Sequence, residues 1–346
     1  MSVPATLEST TQALLSTGKG LLAADESFPT IGKRFKALDI PSTEESRRSY
    51  REMLFTTSRL REFISGVILF DETIRQRTKD GIPLQDFLAG QGIVPGIKVD
   101  KGTIGLPNFA GEKFTQGLDG LRERLGEYRE LGARFTKWRE VVAIGDGLPT
   151  AACLEANAHA LALFAALSQE AGLVPIVEPE VLMDGTHTRA RCEEVTLETL
   201  KCVFEALFDQ RVALEGMLLK TGMVLSGKDC PHQAEVEEVA EATIRCLRRV
   251  VPAAVPGIVF LSGGQNDEAA TRRLNAICRV GDVPWKLSFS FGRALQTPAL
   301  KIWKGSADNV AAAQAALQHR AQCNGLAVEG KYAEQMENAQ ISNSRR

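Results

Sequence analysis

Charged residues recur at the ends of short apolar runs in this sequence. Lys220 closes Glu215-Gly-Met-Leu-Leu, Lys137 and Arg139 follow Ala133-Arg-Phe-Thr, and Glu178 and Glu180 follow Val174-Pro-Ile-Val. One charge at such a place has a plain reading, a side chain that snorkels from a buried strand to water. Several ends mixing Lys, Arg, Asp and Glu point to chemistry instead. Lys220 is the sharpest candidate. Cations at Lys98, Lys137 and Arg139 are expected to lower its pKa, and an unprotonated amine attacks a carbonyl to form a Schiff base. The protonated imine is an electron sink, so an adjacent C–C bond can break without a metal.

Such chemistry moves protons repeatedly. Glu178 and Glu180 are two apart and share one strand face, as do Lys137 and Arg139. One carboxylate can act as acid and base while the other holds the lysine. Asp25 is a further candidate base, with a helix N-cap before Phe28-Pro29 as its plainer reading. Ser262-Gly263-Gly264, followed by a helix start at Asp267, reads as a phosphate cradle joined by Gly292 and Arg293 from the next unit. Lys33 and Arg34 with Lys98 form a second basic group. Two anion sites with an imine between them suggest a substrate phosphorylated at both ends.

The elements that position these residues follow from spacing. Eight apolar runs begin at Gly20, Gly66, Val94, Ala133, Val174, Glu215, Gly257 and Lys286, about 38 residues apart on average. Helical periodicity fills most gaps, for example Leu154–Gln169, Leu197–Asp209, Glu235–Arg249 and Glu268–Cys278. Alternating strands and helices predict a parallel sheet, and eight units predict a (β/α)8 TIM barrel whose strand ends share one rim. A doubly wound open sheet is the alternative, but no GxGxxG turn follows the first run. Thr43–Phe55 reads as an extra helix. The chain reads as one domain, 1–346, with a polar, mobile tail from about residue 329.

Composition excludes other classes. Lys+Arg 41 against Asp+Glu 43 in 346 residues gives a net charge of −2, with no global pull toward nucleic acid or anionic lipid. The longest uninterrupted apolar run, Ala160–Leu167, is far short of the ~20 residues of a membrane span. The 7 Cys and 4 His show no CxxC or HExxH spacing, so reduced thiols, a cytoplasmic location and no protein-built metal site are expected.

The residues also carry a resemblance. GLLAADES (Gly20–Ser27), GVILFD (Gly66–Asp71), GIKVDKG (Gly96–Gly102), TQGLDGL (Thr115–Leu121), KWR (Lys137–Arg139), IVEPE (Ile176–Glu180), LLK (Leu218–Lys220), FLSGGQ (Phe260–Gln265) and FSFGRALQ (Phe289–Gln296) stand in the order found in class I fructose-bisphosphate aldolases. The chain resembles that family from about residue 12 to about residue 332. The resemblance implies a homotetrameric barrel that needs no cofactor and reversibly cleaves fructose 1,6-bisphosphate in glycolysis and gluconeogenesis. It implies Lys220 as the Schiff-base lysine, Glu178 as acid/base, Lys137 and Glu180 in support, and Asp25 at the C4 hydroxyl and the imine. Ser262, Gly263, Gly292 and Arg293 match ligands of the C1 phosphate; Arg34, Lys98, Arg139 and Thr30 lie toward the C6 phosphate.

Three positions depart from the family pattern. Thr30 stands where Ser is frequent. Thr221-Gly-Met follows the lysine where animal enzymes have Pro-Asn-Met. The sequence ends Ile-Ser-Asn-Ser-Arg-Arg346, without the terminal tyrosine of animal enzymes; its last is Tyr332. Another Schiff-base barrel lyase for a phosphorylated sugar and a non-catalytic scaffold of the same fold remain alternatives.

Overall fold

In the computed structural model, which describes residues 4–339, eight parallel strands close into a barrel. They are β1 (Gly20–Ala23), β2 (Ile64–Leu69), β3 (Val94–Lys98), β6 (Phe135–Val142), β7 (Val174–Val181), β8 (Leu218–Thr221), β9 (Gly257–Phe260) and β10 (Lys286–Phe291). A separate antiparallel pair, β4 (Thr103–Gly105) and β5 (Lys113–Thr115), interrupts the connection from β3 to β6. The order around the barrel is β1-β10-β9-β8-β7-β6-β3-β2, and β2 pairs back to β1. The helices are α1 (Ala5–Leu14), α2 (Phe28–Lys36), α3 (Glu44–Phe55), α4 (Asp71–Ile74), α5 (Leu84–Gly90), α6 (Leu121–Glu130), α7 (Ala151–Glu170), α8 (Arg189–Asp209), α9 (Val236–Val250), α10 (Asp267–Val280), α11 (Arg293–Trp303) and α12 (Val310–Val328).

The eight apolar runs fall on the eight barrel strands, with starts moved by two residues at β2 and β6 and by three at β8. The run from Glu215 opens as a 3-10 turn at Leu214–Gly216, and β8 begins at Leu218. The cause is Gln169 at the end of α7, whose amide donates to the carbonyls of Ala213 (2.7 Å) and Gly216 (3.2 Å) and holds them in a turn.

Alternation along the strands sorts the interior. Leu21, Ala23, Ile68, Phe135, Val174, Ile176, Leu218 and Val259 form one buried plug, joined from below by Leu7, Leu14 and Leu15 of α1 and its exit. Phe135 fills the space that a side chain at 96 would need. A Cβ on Gly96 would lie 2.2 Å from its ring, so only glycine fits there. Two residues past Ala23, Gly96, Phe135, Ile176 and Leu218, on the same faces, stand Asp25, Lys98, Lys137, Glu178 and Lys220. The apolar plug therefore carries a layer of charge.

Outward-facing residues meet the helices. Trp138 of β6 stacks on Phe164 of α7, with ring centroids 5.6 Å apart. Helix α7 has the length and composition of a membrane span, yet it buries Leu154, Leu161, Phe164 and Ala165 in this protein. The extra helix is α3, started by a reciprocal Thr43–Ser46 capping box.

The polar tail is docked as far as it is described. Tyr332 is buried, its N–H donates to Asn275 Oδ1 (3.0 Å), and its hydroxyl donates to Glu337 Oε1 (2.7 Å). Glu337 also pairs with buried Arg320 of α12, and Glu334 pairs with Arg272 of α10 at 2.9 Å. Contacts to two helices thus hold a segment whose own sequence has no apolar period. Residues 340–346, the rest of the segment expected to be mobile, lie outside the described residues.

Candidate active site

The C-terminal rim of the barrel opens into a cavity of about 1270 Å³ lined by all thirteen residues that the family resemblance assigns. Its centre is Glu178. Lys220 Nζ lies 3.1 Å from Glu178 Oε1, and Lys137 Nζ lies 2.8 Å from Glu178 Oε2. Lys137 also reaches Asp25 Oδ2 at 3.0 Å. These four side chains are almost wholly buried. Register explains the grouping: Arg139 pairs with Glu178 and Leu219 with Val177 across neighbouring strands, so the inward residues of β6, β7 and β8 converge.

The two lysines are not equivalent. Burial works against the charge on Lys137, but Asp25 and Glu178 outweigh it and hold the ammonium well above the usual lysine range. Lys137 is a fixed cation, while Lys220 has a single carboxylate partner, Glu178, among the described residues. The same charges act in reverse on the acids. Burial raises the pKa of Asp25 and of Glu178, yet Lys137 and then Lys220 pull both below the ordinary carboxylate range. Glu180 does not hold the lysine, an alternative left open by its spacing; it accepts from Arg139 Nε at 2.5 Å. Nor is Asp25 a helix cap. Ser27 is the N-cap of α2, and Asp25 points into the barrel toward Lys137.

The basic groups flank this centre. Lys98 pairs with Asp100, Arg34 with Glu26 at 2.6 Å, and the Thr30 hydroxyl faces Ser27 Oγ at 3.2 Å. On the other side Gly263 and Gly264 have φ of +58° and +96°, left-handed positions suited to glycine. The Arg293 guanidinium lies over this loop, where a Cβ on Gly264 would press on it at 3.0 Å. The expected help from the start of α10 is absent, because the Asn266 side chain already accepts from the N–H groups of Glu268 and Ala269. Of the two helices after these loops, α11 is the one that starts without a side-chain cap, with Gly292 as its N-cap.

The other polar residues of the cavity wall include Glu26, Asp100 and Ser290, which stand in the sequence only within its motifs. Ser290 is buried with an unpartnered Oγ. Its signal was parity with Lys220-type positions, two residues past Ser288 on an inward face. Away from the cavity, His319, Cys323 and Glu337 bring ligand-type atoms within 4.8 Å of one another, but Arg320 already occupies the Glu337 carboxylate.

Comparison with known proteins gives the family. The family model described as fructose-bisphosphate aldolase class-I matches residues 6–345. A protein of Xanthomonas campestris named "Probable fructose-bisphosphate aldolase class 1" is 58% identical over 327 residues, covering 94% of this chain and 98% of that one. A fructose-bisphosphate aldolase of Dictyostelium discoideum is 51% identical over 329 residues, covering 94% and 92%. Among solved structures, the Plasmodium falciparum fructose-bisphosphate aldolase, in complex with TRAP and a small-molecule inhibitor, matches with a TM-score of 0.94 at 49% identity. That match covers 96% of this chain and 98% of the other. With its closed barrel, buried lysine pair and ordered motifs, the chain belongs to the class I fructose-bisphosphate aldolase family.

Proposed function

We propose that Lys220 is the nucleophile in a reversible cleavage of fructose 1,6-bisphosphate to dihydroxyacetone phosphate and glyceraldehyde 3-phosphate. The observation that carries this division of labour is the single carboxylate, Glu178, shared by Lys220 and the fixed cation Lys137. Lys220 passes its ammonium proton to Glu178, 3.1 Å away, and as the free amine adds to the C2 carbonyl. Glu178, 3.1 Å from Nζ, supplies the proton with which the carbinolamine hydroxyl leaves as water. The protonated imine draws the C3–C4 electron pair toward nitrogen. Asp25 accepts a hydrogen bond from the C4 hydroxyl, and Glu178 takes the proton as that bond breaks and the aldehyde forms. The enamine left behind is protonated at C3 and hydrolysed, which frees Lys220. Lys137 and the Arg139–Glu180 pair keep Glu178 charged and in place.

Ser262, Gly263, Gly292 and Arg293 receive the C1 phosphate. Arg34, Lys98, Arg139 and Thr30 serve the C6 phosphate. Arg34, Lys98 and Arg139 are each held by a carboxylate, and a phosphate would take a share of each cation. Family membership further supports a homotetramer that works in the cytoplasm in glycolysis and gluconeogenesis.

The test is borohydride reduction with dihydroxyacetone phosphate, followed by peptide mapping. The expected result is one adduct, on Lys220, with loss of activity, and no effect of EDTA on the untreated protein. An adduct on another lysine, or inactivation by EDTA, overturns the reading.

A further inference from the structure

We propose that Glu26 is a positioning residue: it holds the Arg34 guanidinium at the rim and thereby sets the preference for a substrate phosphorylated at both ends. The inference rests on the reading that Arg34 serves the C6 phosphate.

Asp25 turns into the barrel, and Glu26, next in sequence, turns away from it under α2. Its carboxylate is buried and gripped by three elements. Oε1 accepts from Arg34 Nη1 of α2 (2.6 Å) and from Gln296 Nε2 of α11 (2.8 Å). Oε2 lies 2.6 Å from Arg51 Nη2 of α3, as an ion pair off the hydrogen-bond axis. Gln296 is itself fixed: its amide donates to Ala23 O (2.6 Å), and its oxygen accepts from the buried Tyr50 hydroxyl (3.0 Å). The core thus determines where the carboxylate sits.

A purely structural ion pair would need only Arg51, which is buried. The second guanidinium, Arg34, lines the cavity. Glu26 takes one of the five N–H donors of Arg34, which leaves donors for a phosphate. Arg34 and Arg293 line one cavity, and their like charges repel. After burial, Arg34 is the leading cause of the lowered pKa of Arg293. One carboxylate against Arg51 and Arg34 restrains that repulsion and keeps a surplus positive charge for a dianion. Burial opposes the charge on Glu26, but Arg51 and Arg34 outweigh it, so the anchor is ionised at neutral pH.

The experiment compares steady-state kinetics of wild type and Glu26→Gln on fructose 1,6-bisphosphate and fructose 1-phosphate, alone and with Arg34→Ala. The expected KM for the bisphosphate rises about tenfold or more. The KM for the monophosphate and both kcat values stay within roughly threefold, and adding E26Q to R34A changes KM less than about twofold. Equal KM increases on both substrates, or an undiminished E26Q effect in R34A, overturn the proposal. If E26Q does not fold, E26Q/R51M removes the buried cation with its partner and is held to the same selectivity loss. Trapping on Lys220 separates the two readings. Unchanged selectivity in a variant that still traps dihydroxyacetone phosphate on Lys220 refutes only the role of Glu26. Failure of wild type to trap there removes the reading on which it rests.

Discussion

Lys137 Nζ stands 2.8 Å from Glu178 Oε2, both side chains buried, and this contact fixes the charge of the carboxylate that must also serve Lys220. Removing the ammonium leaves burial to push the Glu178 carboxyl upward, opposed by Lys220 and Arg139. Lys137→Met is expected to lower kcat by about 10²–10⁴ and to move the acid limb of the kcat/KM profile to higher pH. An acid limb that stays in place would show that Lys137 does not tune Glu178.

The two phosphate sides are separable. Arg293→Ala should raise KM for both bisphosphate and monophosphate substrates, because the C1 phosphate is common to them. Lys98→Ala should hurt the bisphosphate alone. Each loss is expected at about 1.5–3 kcal/mol, the worth of a charge-assisted contact. Equal losses on both substrates for both variants would contradict the division.

Glu140 faces away from the cavity and is fully buried on β6, with Trp138 Nε1 donating to Oε1 at 2.7 Å. Burial pushes its carboxyl up to about 7, Thr115 and Trp138 oppose this by hydrogen bonding, and Asp100 adds to it. The folded protein therefore holds a proton that the unfolded chain releases near 4.5. Stability falls as pH rises from about 4.5 to about 7 and stays lowered above that, by about 3 kcal/mol at most from this group. Urea unfolding of wild type and Glu140→Gln at pH 5 and pH 8 should show the variant gaining relative stability at pH 8. A pH-independent difference would disprove it.

Glu337 joins the tail to the barrel through Arg320 and Tyr332. Glu337→Ala leaves the buried guanidinium of Arg320 without its carboxylate and is expected to cost about 2–4 kcal/mol in denaturant unfolding. Deleting 338–346 spares those contacts, and kcat for cleavage should stay within about tenfold, or 1.4 kcal/mol. Hydrogen exchange at the dihydroxyacetone phosphate carbon supplies the check. Its loss, with cleavage preserved, would assign proton transfer to the deleted segment.

Much of the barrel could be read from the sequence because its signals are local. A run such as Val174-Pro-Ile-Val ends in Glu178 and Glu180, and alternation alone puts both carboxylates inside. Lys220 could be found because it closes a buried strand. Partner choice is long-range and could not be read in this way. Nothing in the spacing says that Glu180 takes Arg139 rather than Lys220, since that depends on strand register. Of α10 and α11, it is α11 that starts uncapped, because Asn266 happens to cap α10. The docking of Tyr332 depends on Asn275 of α10 and, through Glu337, on Arg320 of α12. No periodicity within the tail itself could reveal that packing.

The seal beneath the charges has a consequence for traffic. Phe135 fills the floor under Lys137, and Leu7, Leu14 and Leu15 stopper the barrel behind it. Sugar, both products and every water molecule exchanged with Lys220 must therefore use one doorway at the rim. The rim cavity thus serves as entrance and exit alike, and what passes through it meets the same ring of paired charges on the way in and on the way out.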